Sequence, residues 1–497
     1  NKMTATIEKK PTGLKSKSEH RNISADEKQN GSDKQNKAAI KTVNPATNEL
    51  VKSFGEMTEQ AIESAISSAD KAYRDWKKTS YDVRANLLHK VASLMRKKKD
   101  TLAKLITLEM GKLLKESQGE IDLSADIIDY YADNGAKFLA DQTLKTEFGE
   151  AIVRHSPIGV LLGIEPWNFP FYQVARFAAP NIMIGNVVLV KHASNVPQCG
   201  IAIEKLFKEA GAPEGVYTNL LIPGSKVSVL LADKRIKGAS LTGSETAGAS
   251  LAESAGKNLK KSVLELGGSD AFIVLEDADM DKTVEWAVVG RMNNTGQCCV
   301  ASKRFIVVEA VADEFLKKFK KKLSALKVGD PMDKDTQLGP LSSEEAAVHL
   351  DDQVKRSVAA GAKILLGGKR INRKGAYMEA TILSDIKPGV PAYYEELFGP
   401  VASFYRVKDE AAAIKLANDS PFGLGGSVFT NDIERGKKVA DQIDTGMVFI
   451  NHPTWTKEDL PFGGTKRSGY GRELSELGIQ EFVNKKLIRV SGLTDPF

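Results

Sequence analysis

From about Gly149 onward, short aliphatic runs alternate with segments of helical spacing, and this alternation restricts the chain to very few folds. Residues 159–164, 187–190, 219–222 and 239–241 read as buried strands. Helical segments follow at 197–210 and 246–256. Strand, helix, strand, helix is the pattern of a doubly wound parallel sheet, so the fold class is α/β. In such a sheet ligands bind at the carboxyl ends of the strands. A second set of strands begins near Gly267, at 271–275, 305–308, 363–366 and 401–404, with helices between them, including 312–326. Residues 446–450 return to a strand, and 486–490 form the last. Ahead of all this, apolar spacing predicts helices over 58–76, around 87–95 and 102–106, and over 121–139. The Lys97-Lys98-Lys99 run is expected on the solvated face of one of them.

A chain of 497 residues is too long for one core, so two or more domains are expected. A net charge of +6 is small for this length and gives no reason to invoke nucleic acid or a membrane surface. Three cysteines cannot build a disulfide framework and none has C-x-x-C spacing, which points to a reducing, cytoplasmic compartment. The histidines are scattered without metal-site spacing, so a metal centre is not expected. No apolar run reaches the length of a membrane span. Residues 1–37 are polar and lack aromatic residues, the composition of a disordered tail. That segment has neither the apolar stretch of a secretory signal nor the acid-poor composition of a transit peptide.

The chemistry-bearing residues sit at the predicted strand ends. Asn293 to Val300 holds Cys298 and Cys299, with a Gly296-Gln297 turn signal just ahead and β-leaning runs at 286–289 and 305–308. A free cysteine is most often a small core residue, so burial competes with a nucleophile here. In Pro166-Trp167-Asn168-Phe169-Pro170 two prolines fix the backbone around an amide. Asn168 is therefore either a preplaced oxyanion donor or a structural turn residue. Lys191, with Ser194 three residues on, could hold a ribose or phosphate, or could be an ordinary surface lysine. Gly243, Ser244 and Gly248 open a helix after the fourth strand, where backbone N–H groups can meet a phosphate. Their spacing is not G-x-G-x-x-G, so a tight turn competes with that reading. Glu265 ends an apolar run before two glycines, where a raised pKa suits a general base; a local capping role competes. Together, a thiol, a carboxylate, an amide donor and a phosphate-binding turn are the parts for covalent acyl chemistry with a nucleotide.

With these motifs in register, residues 43–490 resemble the aldehyde dehydrogenase superfamily. The resemblance rests on Leu108-Glu109-Met110-Gly111-Lys112, the Pro166–Pro170 motif, Gly243-Ser244 with Gly248, and Glu265-Leu266-Gly267-Gly268. It extends through Gly296-Gln297-Cys298-Cys299, Glu396-Leu397-Phe398-Gly399-Pro400, Pro461-Phe462-Gly463-Gly464 and Ser468 to Glu473. It implies that Cys299 is the nucleophile and Cys298 a variable neighbour. Asn168 and the Cys299 backbone N–H would hold the oxyanion, and Glu265 would activate the hydrolytic water to give a free acid. The site would have to help ionise the thiol. Trp167, Lys191, Ser194, Gly243, Ser244, Gly248, Glu396 and Phe398 fall at cofactor positions. Ser194, where NAD-preferring relatives often carry glutamate, implies NADP, with NAD also admitted. The run from Lys191 to Val196 is most similar to the branch that oxidises succinate semialdehyde. There Arg176 would meet the substrate carboxylate, or would instead form a salt bridge within the protein. Asn294 stands where many of that branch have a second arginine, which leaves other small aldehydes open. A catalytically inactive binding protein on the same fold is the rival of a different class. The resemblance also implies a Rossmann-like cofactor domain (38–145 and 164–263) and a second α/β, catalytic domain (264–435). A small oligomerisation flap (146–163 and 477–497), a return segment (436–476) and a homodimer or homotetramer complete the expectation.

Overall fold

The computed structural model describes residues 40–496; the expected tail lies outside the described residues. A hairpin pairs Ile40–Asn44 with Glu49–Phe54, and four helices follow: Glu59–Trp76, Tyr81–Lys97, Lys99–Met110 and Leu114–Phe138. The first two start where the hydroxyls of Thr58 and Ser80 accept from the backbone N–H groups of Ala61 and Val83. Ile62, Ala65, Ile66, Ala69 and Trp76 form the buried stripe of the first. The lysine run does not lie on one helix. Lys97 ends one, Lys99 begins the next, and Lys98 is the junction between them. Lys98 pairs with Glu209, and Lys99 with Asp122 at 3.0 Å.

The alternating region folds into a six-stranded sheet in the order Gly469–Tyr470, Lys261–Glu265, Ile236–Thr242, Val160–Glu165, Val187–His192, Tyr217–Asn219. All neighbours are parallel except the first pair. The carboxyl ends Glu165, His192, Thr242 and Glu265 therefore share one edge. The chain builds outward from Val160–Glu165 in one direction, then returns to its other side. That reversal opens the crevice in which doubly wound sheets bind ligands.

A seven-stranded sheet runs Lys363–Leu366, Thr381–Ser384, Val401–Val407, Ser302–Val308, Asp270–Val274, Gly426–Phe429, Phe449–Ile450. Lys363–Leu366 is antiparallel to its neighbour and partly exposed, whereas the central parallel strands Ser302–Val308, Asp270–Val274 and Gly426–Phe429 are buried on both faces. Phe272, Val274, Phe305 and Phe404 pack into one cluster with Phe315 and Phe319, while Ala271, Ile273, Ile306 and Tyr405 pack into the opposite one. A three-stranded antiparallel sheet joins Gln142–Leu144, Glu150–Pro157 and Val483–Val490. Leu487 and Val490 remain exposed on its edge strand.

Several boundaries differ from the sequence reading. The expected flap segment 146–163 runs too far, because its strand ends at Pro157 and Val160 already belongs to the six-stranded sheet. The strand expected at 219–222 is Tyr217–Asn219, and only Phe449–Ile450 of 446–450 is paired. The β-leaning run 286–289 is helical, within Met280–Met292. Asp279 caps that helix, and burial of Met280, Val284, Ala287 and Arg291 follows helical period, so packing overrides the valines' preference. Among the described residues no helix is long and apolar enough to cross a membrane, and no group of three or more candidate metal ligands forms.

Candidate active site

The helix Met280–Met292 runs into a turn where Asn294, Thr295 and Gly296 are all left-handed, with φ of 53°, 55° and 75°. Two non-glycine residues in that region are strained, so the turn must be held from outside. Glu116 accepts from the Asn294 N–H at 3.1 Å, and the Asn294 side chain donates to the Asn168 carbonyl at 3.0 Å. Gln297 accepts from the Ser342 N–H at 2.8 Å, and Arg291 donates to the carbonyls of Gly296 (2.6 Å) and Gly399 (2.7 Å). A Cβ on Gly296 would collide with the Gly399 backbone, so only glycine lets these segments touch.

The turn delivers the two cysteines to a cavity of about 290 Å³. They are not equivalent. Cys298 is buried and its sulfur is engaged with Asn293. Cys299 is only partly buried, lines the cavity, and its thiol has no hydrogen-bond partner among the described residues. Burial pushes the Cys299 thiol up to about 12; Arg176 and then Lys303 pull it down, while Glu396 and Glu265 push it further up. Arg176 and Lys303 thus favour the thiolate, and in the protein alone desolvation outweighs them.

Asn168 is buried and locked. Its side-chain carbonyl accepts from Gln173 Nε2 at 3.0 Å, which turns the NH₂ group toward the cysteine turn. One hydrogen goes to the Gln297 carbonyl at 3.0 Å, and the amide has a second to offer. Glu265 ends the Lys261–Glu265 strand and is 2% exposed, and neither carboxylate oxygen has a hydrogen-bond partner. Burial raises its pKa well above the carboxylate range; the Arg176 charge opposes this and Glu473 adds to it.

Arg176 takes the competing role, a salt bridge within the protein. It lies fully inside the helix Tyr172–Ile184 and already has a carboxylate, since its Nε pairs with Glu473. Its other nitrogens donate to the Tyr172 hydroxyl at 2.9 Å and the Thr242 hydroxyl at 3.0 Å. The partner that a buried arginine requires is supplied from within, and Arg176 stands behind the cavity wall formed by Tyr172, Thr456 and Phe462. Replacing Arg176 by Met should leave Glu473 buried and unpaired and lower stability by about 3–5 kcal/mol. Denaturant midpoints of the two proteins measure this, and an unchanged midpoint would contradict it.

The remaining positions gather at the carboxyl edge of the six-stranded sheet. Lys191, next to last in its strand, is buried, its ammonium donating to the His192 carbonyl at 2.9 Å; burial lowers its pKa. Ser194 follows, half-buried. The Gly243 N–H donates to the Glu265 carbonyl at 3.0 Å. Ser244 caps the helix Glu245–Lys257 by accepting from Ala247 N–H at 3.3 Å, and a Cβ on Gly248 would run into Leu266, so glycine lets helix and strand close up. Glu396 accepts from the Gly268 N–H at 3.0 Å, and the Trp167 and Phe398 rings meet edge to face at 5.7 Å between centroids. A buried ammonium with one backbone partner, a helix N-terminus at the strand reversal and a carboxylate beside the thiol form a crevice that fits a dinucleotide.

Three residues given no role by sequence reasoning belong to this site. Glu116 holds the strained turn and lines the cavity, and its second oxygen is buried without a hydrogen-bond partner. Glu473 lies in a motif already noticed, but its pairing with Arg176 is a long-range contact. Lys303 reaches the carbonyls of both cysteines, and its one sequence signal is a cation in a strand otherwise suited to a core.

The aldehyde dehydrogenase family model matches residues 32–488. The chain is 53% identical over 448 residues to a succinate-semialdehyde dehydrogenase [NADP(+)] of Deinococcus radiodurans, covering 90% of this chain and 94% of that one. It is 45% identical to a probable enzyme of the same name from a Synechocystis strain, covering 91% of this chain and all of the relative. Among solved structures, the succinic semialdehyde dehydrogenase of Streptococcus pyogenes in complex with NADP+ superposes with a TM-score of 0.90 at 46% identity, covering 91% of this chain and 100% of that one. Matches of this extent, over the segments that build the cysteine turn and the crevice, establish that the chain belongs to the aldehyde dehydrogenase family.

Proposed function

We propose that this chain oxidises an aldehyde, succinate semialdehyde foremost, to the free carboxylic acid with NADP+. The observation that carries the chemistry is the contrast between the two cysteines: Cys299 alone offers an unpartnered thiol to the cavity, beside the locked amide of Asn168. Substrate and cofactor are supported by the names of the relatives and by the NADP+ bound to the Streptococcus structure. Here the six-stranded sheet serves as the cofactor domain and the seven-stranded sheet as the catalytic domain.

Cys299, once deprotonated, attacks the aldehyde carbon to give a thiohemiacetal. Asn168 Nδ2 and the Cys299 N–H hold the resulting oxyanion, a donor pair of which each member contributes about 10²–10³ in rate. Trp167, Lys191, Ser194, Gly243, Ser244, Gly248, Glu396 and Phe398 hold the dinucleotide. When bound, it supplies the acceptor for the hydride whose loss converts the adduct to a Cys299 thioester. Glu265 then takes a proton from water as its oxygen attacks that thioester, and the acid leaves with the thiolate restored. Three free cysteines fit a reducing, cytoplasmic setting, and the exposed edge of Val483–Val490 fits a homo-oligomer.

Ser194 supports NADP because it places no negative charge near a 2′-phosphate. Ser194→Glu should lower the preference for NADP over NAD by roughly tenfold or more, since like charges brought together are costly. Steady-state kinetics with both cofactors measure it, and an unchanged ratio removes Ser194 from the cofactor reading.

One observation favours a second reading, a preference for small uncharged aldehydes. Among the described residues no lysine or arginine lines the cavity, whereas Glu116 and Glu120 do. A panel of succinate semialdehyde and uncharged aldehydes of similar length decides between the two. The first reading requires the higher kcat/KM for the semialdehyde.

A further inference from the structure

We propose that Lys303 is a positioning residue that fixes the Cys299 peptide and supplies the positive charge that makes its thiol more reactive. This rests on the reading of Cys299 as the nucleophile and adds to it a residue with no other assigned role.

Lys303 lies on Ser302–Val308, all seven residues of which are buried. An ammonium is tolerated at such a place only when its donors are met. It has three, and the structure gives three acceptors: the Cys298 carbonyl at 2.9 Å, the Cys299 carbonyl at 2.8 Å and Glu396 Oε1 at 3.0 Å. It also sits 5.8 Å from the Phe398 ring centre. With every donor spent, the lysine clamps both cysteine peptides to the strand and to the 396–398 loop.

The charge has a second consequence. Four charged or titratable side chains from four segments act on the Cys299 thiol: Arg176 from the Tyr172–Ile184 helix, Lys303, Glu396 from the loop, and Glu265 from its strand end. Glu116, Glu120, Tyr172 and Cys298 are the other titratable residues that line the cavity with it. Arg176 is tied to Glu473, a partner remote from the thiol's own segment, whereas Lys303 is bonded to the peptide of the very residue it acts on. Both cations favour the thiolate, and Glu396 opposes it.

The test is alkylation of the full chain by iodoacetamide, read on the Cys299 peptide by mass spectrometry so that Cys298 and Cys199 are scored separately. Lys303→Met should slow Cys299 alkylation about tenfold at neutral pH and displace its rate–pH profile toward alkali by roughly one unit. Glu396→Gln should move the same profile the other way, with alkylation several-fold faster. Opposite displacements support the proposal, because loss of packing alone would not reverse sign. Parent-like alkylation in Lys303→Met, or displacement of both variants in one direction, overturns it. Should Lys303→Met fail to fold, Glu396→Gln decides alone: an unmoved or alkaline profile overturns the proposal. These measurements do not depend on turnover. A Cys299→Ala enzyme that still turns over would sink the nucleophile reading instead.

Discussion

Cys299→Ala should abolish NADPH formation with every aldehyde tested, lowering turnover by about 10⁴-fold or more, the scale of losing a nucleophile. The adjacent Cys298 cannot take over. It is buried and its sulfur is engaged with Asn293. Cys298→Ser, as the control, should retain turnover within a few-fold, because it keeps a small polar atom facing Asn293. The substitution at Cys299 should leave the strained turn intact, since Glu116, Ser342 and Arg291 hold it through other residues. Binding of NADPH, followed by fluorescence, should therefore persist in the inactive protein. Substantial turnover in Cys299→Ala would end the covalent reading.

Glu265→Gln should separate the two halves of the reaction. Acylation proceeds without a base for water, so the first turnover appears as a burst of NADPH close to one per subunit. Steady turnover then falls by about 10²–10⁴, the usual contribution of a general base. Mass spectrometry of the quenched protein should find the acyl group on Cys299. The pH dependence follows from burial. Glu265 works only when deprotonated, and its pKa is raised, so steady turnover of the parent should decline as pH falls through a value above the ordinary carboxylate range. The Gln variant should lack that limb. No burst would assign Glu265 to activating the thiol rather than the water.

The doubly wound sheet was legible because parallel strands are buried on both faces and read as continuous apolar runs. Cys299, Asn168 and Glu265 stood out because each combines a reactive group with a backbone signal: a Gly-Gln turn, flanking prolines, a strand end before glycines. What stayed hidden depends on partners distant in the chain. A buried Arg176 requires a carboxylate, from substrate or from within, and no local pattern reveals that Glu473 supplies it. Lys303 looks like any lysine until the strand around it proves wholly buried. The run 286–289 has β-branched residues, yet the Asp279 cap and helical burial decide its form. The balance at the thiol is hidden for a similar reason, since desolvation depends on everything packed around the sulfur.

The strand bearing Glu265 is bordered on its outer side by Gly469–Tyr470, Arg176 is neutralised by Glu473, and Val483–Val490 completes the sheet begun by Gln142–Leu144 and Glu150–Pro157. A ribosome making this polypeptide thus releases the parts of the reaction centre long before the residues that lock them together. Chains that stop short of Gly469 should therefore form no NADPH from aldehydes, because Glu473 and the strands Gly469–Tyr470 and Val483–Val490 are then missing.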